Sequence, residues 1–150
     1  MKSPVPFRPV NVSRPTEVIS VGAPVITSSK DDIFVVGGID IGLGKEKPGM
    51  CVSVYDSEMR KWNMLTYLPM YTHHHAAVSV GGKLYLMGGA IYDPRYPDDL
   101  GTATNKVYVY NIQEGTWTSV ANMTECRVYH GAAVYNDMIY VVGGEDSNKK

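Results

Sequence analysis

The chain has 150 residues, 44% of them apolar, with 14 Lys and Arg against 15 Asp and Glu and a net charge of −1. That apolar content supports a folded core and excludes wholesale disorder. Balanced charge without a basic run excludes an electrostatic nucleic-acid surface.

Residues 1–15 hold Pro4, Pro6, Pro9 and Pro15 and read as an extended leader, since proline lacks the backbone donor and fixes φ. Glu17 to Val21 is a candidate for one further strand. Pro24 to Gly38, PVITSSKDDIFVVGG, then reads as a β run, a Lys30-Asp31 turn, a second β run and a glycine pair. The pattern returns without a gap as HAAVSVGGKLYLMGG from His75 and as HGAAVYNDMIYVVGG from His130. The turn pairs there are Gly81-Gly82 and Asn136-Asp137, residues that tolerate the positive φ of a two-residue hairpin. The runs Ile33 to Val36, Leu84 to Met87 and Ile139 to Val142 are continuously apolar, which predicts strands buried on both faces.

The glycine pairs, Gly37-Gly38, Gly88-Gly89 and Gly143-Gly144, recur at steps of 51 and 55 residues, a period that means repeated units. Trp62 lies seven positions beyond Tyr55, and Trp117 seven beyond Tyr110. His75 lies thirteen positions beyond Trp62, and His130 thirteen beyond Trp117. The difference in period therefore falls between glycine pair and tyrosine, in the segments 39–49 and 90–105, which are expected to be surface loops. Met50 to Tyr55 and Lys106 to Tyr110 alternate as third strands, and each tryptophan opens a fourth. The units are placed at 16–70, 71–123 and 124–150, the last only half complete, with a polar tail.

Gly-Gly, a variable loop, then Tyr, six residues and Trp resembles the kelch repeat, one blade of a β-propeller. The resemblance implies an all-β fold: two four-stranded blades and the inner hairpin of a third, a propeller fragment. The repeat positions Gly37, Gly38, Tyr55, Trp62, His75, Gly88, Gly89, Tyr110, Trp117, His130, Gly143 and Gly144 are then structural, with the outer Tyr and Trp filling the wedge between blades. It further implies a protein-interaction module, in particular the substrate-recognition part of a kelch adaptor for a cullin ubiquitin ligase, which would engage the cullin through a domain absent from these residues. An actin-associated scaffold is the alternative, and an enzyme on the same fold a third reading that no active-site residue supports.

In this family partners meet loops that follow the glycine pair and loops that join blades. Here those loops carry Asp40, Tyr92, Arg95 and Tyr96, and at the blade junctions Tyr71, His73, Arg127 and Tyr129. Tyr and Arg are favoured anchors of interfaces. The run His73-His74-His75 suggests a metal, but neighbours on an extended chain point in opposite directions, and His75 is a repeat position. No metal and no cofactor is therefore expected. Gly42-Leu43-Gly44-Lys45 lacks phosphate-loop spacing, and Asp31-Asp32 and Asp98-Asp99 read as solvated turn residues. Cys51 and Cys126 occupy non-equivalent places without zinc spacing and are expected to be reduced thiols. MKSPVPFRPV has no apolar signal core and no window approaches a membrane span, so the expected location is cytoplasmic.

Overall fold

A two-residue hairpin turn of type I′ needs positive φ at both turn residues, and the two best turn pairs supply it. Gly81 and Gly82 lie at φ 58° and 72°, and Asn136 and Asp137 at 49° and 59°. The structure, a computed structural model, describes residues 25–28, 32–37, 50–91, 93, 95 and 101–146. The proline leader, Glu17 to Val21, the Lys30-Asp31 turn, Gly38, the 39–49 loop and residues 147–150 lie outside them.

The first unit holds β1 (Val25–Ser28), β2 (Ile33–Val36), β3 (Cys51–Asp56) and β4 (Lys61–Tyr67) in one sheet of that order. After β5 (Thr72–His73) the second unit repeats it with β6 (Ala76–Val80), β7 (Lys83–Met87), β10 (Val107–Asn111) and β11 (Thr116–Ser119). Between β7 and β10 come β8 (Ala90–Ile91) and β9 (Thr102–Ala103). The third unit is the hairpin of β12 (Gly131–Tyr135) and β13 (Met138–Val142). All pairings are antiparallel, and no helix occurs among the described residues.

Turns at matching repeat positions are built alike. The Asp56 carboxylate accepts from the amides of Glu58 and Met59 at 3.0 and 2.8 Å. The Asn111 side chain accepts from those of Gln113 and Glu114 at 3.1 and 3.2 Å. Each is an Asx turn closing the outer hairpin.

The core lies between sheets. Phe34, Val36 and Val52 of the first unit pack with Ala77, Leu84, Leu86 and Tyr110 of the second. Ala76, Val78, Met87 and Val107, from the other face of the second sheet, meet Ala132, Ile139 and Val141 of the third hairpin. At the inner edge the Ser79 amide donates to the Thr27 hydroxyl at 3.0 Å, joining β6 to β1.

Double-sided burial holds for β7, which has a sheet on each side, but not for its two counterparts. Ile33 of β2 is 43% exposed, and Tyr140 and Val142 of β13 are 45% and 71% exposed. Strand composition is shared, whereas burial depends on whether a neighbouring sheet is there.

The outer aromatics divide in the same way. Trp117 lies 5.1 Å from Tyr110 between ring centroids, and Trp62 lies 5.2 Å from Tyr55, so the pair is a repeated unit. Trp117 fills the wedge between the first two sheets, where its indole N–H donates to the Tyr67 carbonyl at 2.8 Å. Trp62 is 48% exposed and fills no wedge among the described residues.

Candidate partner-binding rim

The two glycines of the Gly88-Gly89 pair clear room for different neighbours. Gly88 lies at φ 60°, and a Cβ there would stand 2.6 Å from Cε1 of His130, in the next unit. Gly89 lies at φ 90°, and a Cβ there would stand 2.5 Å from the Thr72 hydroxyl and 2.7 Å from the His73 carbonyl, in the strand leading into its own unit. The imidazole filling the first space makes a latch between sheets. His75 Nε2 donates to the Val36 carbonyl at 3.2 Å, and His130 Nε2 to the Met87 carbonyl at 3.1 Å. Both Nδ1 atoms are buried and have no hydrogen-bond partner among the described residues. Burial pushes the His75 pKa down to about 4, against the smaller opposing effect of its Val36 bond, and it also lowers that of His130. Both rings are therefore neutral at pH 7 and carry the proton on Nε2.

Beyond the glycines the backbone gathers on one rim. There β5, β8 and β9 form a three-stranded sheet with β8 in the middle. The segment 90–105 is thus not a loop at its ends: Ala90, Ala103 and Thr104 are buried. Next to it the Gly89 amide donates to Arg127 O at 2.8 Å, and Arg127 N to Thr104 O at 3.1 Å. Val128 bridges Glu145 at the repeat position where His73 pairs Ala90. The junctions between units and the segments after the glycine pairs are therefore hydrogen-bonded neighbours.

The expected anchors have different fates on this rim. Tyr71 packs partly buried against the core, and His73 is buried. The Arg127 guanidinium donates to the Gly143 carbonyl and to Glu125, both at 2.6 Å, which ties the junction to the third hairpin. Arg95 forms an exposed ion pair with Asp93, and its hydrogen bonds hold that carboxyl down to about 2. Tyr129 is 62% exposed. Asp40, Tyr92 and Tyr96 lie outside the described residues, as do Gly42 to Lys45, Asp31 and Asp98-Asp99.

One sequence argument fails here. His74 does not turn away from His73, because its φ is 53° rather than that of an extended residue. The left-handed turn brings the two rings to 4.6 Å between centroids at an interplanar angle of 84°. Tyr129, at the same repeat position, has φ 59°, and its ring lies 4.3 Å from that of His74. His74 is thus a rim residue that the sequence reading passed over. Its alignment with Tyr129, a residue already singled out, was the available signal.

Radially repeated four-stranded sheets with a core between neighbours define the β-propeller class. A family profile described as Kelch motif matches residues 71–124 and 126–150, and the chain belongs to the kelch-repeat family. It is 31% identical over 121 residues to beta-scruin of Limulus polyphemus, covering 77% of this chain and 13% of that protein. It is 30% identical over 116 residues to Kelch-like protein 41b of Danio rerio, covering 77% of this chain and 18% of that protein. It is 31% identical over 118 residues to Kelch repeat and BTB domain-containing protein 12 of Homo sapiens, covering 78% and 19%. The chain thus spans less than a fifth of the length of these relatives. The solved structure of YjhT matches with a TM-score of 0.66 at 21% identity over 87% of this chain and 36% of that one, a likeness of fold.

Among the described residues no group of three or more His, Cys, Asp or Glu is placed to hold a metal ion. Cys51 is an exposed free thiol and Cys126 a half-buried one. No helix among the described residues is long and apolar enough to cross a membrane.

Proposed function

We propose that this chain belongs to a protein-interaction module and contributes the substrate-recognition part of a kelch adaptor for a cullin ubiquitin ligase. The observation that carries this reading is the rim: junctions between units and segments after the glycine pairs share one hydrogen-bonded layer, with Tyr129 and Arg95 facing solvent. A rigid layer bearing exposed aromatic and guanidinium groups suits protein recognition. The similarity to Kelch repeat and BTB domain-containing protein 12 supports a BTB partner domain elsewhere in the protein.

The test is quantitative proximity labelling in cells with the full-length protein and a variant carrying Tyr92→Ala, Arg95→Ala, Tyr96→Ala and Tyr129→Ala. The cullin should be recovered equally with both, and one set of ligands should be lost from the variant while its melting temperature is unchanged. Cullin absent from both samples overturns the adaptor reading. Ligands unaffected by the variant overturn the rim. Filament co-sedimentation that depends on the rim would favour an actin-associated scaffold instead.

A further inference from the structure

We propose that His73 and His74 form a two-imidazole site for a borderline divalent cation of the Ni(II), Cu(II) and Zn(II) group. The inference stands on the geometry of the pair and does not require the partner reading.

A left-handed backbone is strained for a non-glycine residue. His74 is held there, and the result is convergence: its Nδ1 lies 2.5 Å from Nδ1 of His73. Nitrogens that close are joined by an N–H proton, which one ring donates to the lone pair of the other. A cation bound by both nitrogens would replace it.

The pair is also pre-positioned. His73 is buried and fixed by the pairing of β5 with β8. His74 is backed by the Tyr129 ring, and its carbonyl accepts from the Tyr129 amide at 3.2 Å. Metal–imidazole bonds of about 2.0–2.1 Å place two cis nitrogens roughly 2.9–3.4 Å apart. The pair must open by roughly 0.4–0.9 Å, a small rotation of the His74 ring. Imidazole donors select Ni, Cu and Zn over Mg and Ca. With no third protein donor among the described residues, the other coordination positions fall to water or to a group on a bound molecule. The site is therefore an exchangeable one rather than a structural closed one.

Ni(II) is the probe, because Cu(II) would oxidise the exposed Cys51 thiol. Untagged full-length protein, stripped with chelator, is titrated calorimetrically at pH 7.5. The expected result is one Ni(II) per chain, held at least about tenfold more weakly by His74→Gly. Glycine keeps the left-handed turn without its strain, so this variant should melt no lower than the parent. Wild-type binding equal to that of His74→Gly overturns the proposal, as does the absence of saturable binding to folded wild-type protein. The same tenfold loss in His130→Gln, which leaves the pair intact, would also overturn it.

Discussion

Acidification should unlatch the sheets, and His75 sets the size of the effect. Its ring is 5% exposed and its pKa is pushed down from 6.5 to about 4, chiefly by burial. The gap of roughly 2.5 units is worth about 3 kcal/mol at 1.36 kcal/mol per unit. The unfolded chain takes up a proton as pH falls through 6.5, whereas the folded protein refuses it until about pH 4. Stability from this residue is therefore complete above pH 7 and declines by about 1.4 kcal/mol per pH unit below 6.5. Between pH 7.5 and 5.0 the loss is about 2 kcal/mol, to which His130 adds in the same direction. Urea unfolding followed by tryptophan fluorescence at pH 7.5, 6.0 and 5.0 measures this. Most carboxylates stay ionised across that window. His75→Gln keeps a donor but does not titrate, so its pH dependence should be flatter by about 2 kcal/mol. Equal midpoints at pH 7.5 and 5.0, or a His75→Gln slope matching the parent, would refute the reasoning.

Trp117→Phe removes one hydrogen bond to the Tyr67 carbonyl and should cost about 1 kcal/mol in chemical denaturation. Trp117→Ala also removes the ring between two sheets and should cost about 3 kcal/mol, clearly more than Trp62→Ala, whose ring is half in water. Equal losses at the two tryptophans would contradict the wedge account. Gly82→Ala meets only backbone strain, about 1 kcal/mol, since no atom lies within 4 Å of its Cβ. Gly88→Ala must also displace His130 and approach the Arg127 carbonyl at 2.7 Å, adding about 1–3 kcal/mol. Indistinguishable melting temperatures for these two variants would remove the steric role assigned to the first glycine.

The hairpins were legible because their turns need residue types the chain displays, Gly81-Gly82 and Asn136-Asp137. The Tyr-to-Trp interval was legible because both rings answer one geometric need, seen again in the near-identical centroid distances. The rim sheet was not legible, since β5, β8 and β9 are two residues each and show no period. Nor was the His74 turn, because positive φ is uncommon outside glycine and the enrichment of histidine there is too weak to single one out. The exposure of Ile33, Trp62 and Val142 also escaped, because it depends on a neighbouring sheet and not on the strand's own residues. The outcome for Arg127 turned on which carbonyl happened to lie within its reach.

The imidazole latch gives the array a direction in time. Val36 and Met87 present carbonyls whose donors, His75 and His130, lie 39 and 43 residues later, at the start of the next unit. During synthesis each sheet is thus finished by a residue that leaves the ribosome immediately before the first strand of the following one. A pause after Met87 would leave that acceptor to water until His130 emerges. Maturation should then advance vectorially, each newcomer sealing its predecessor.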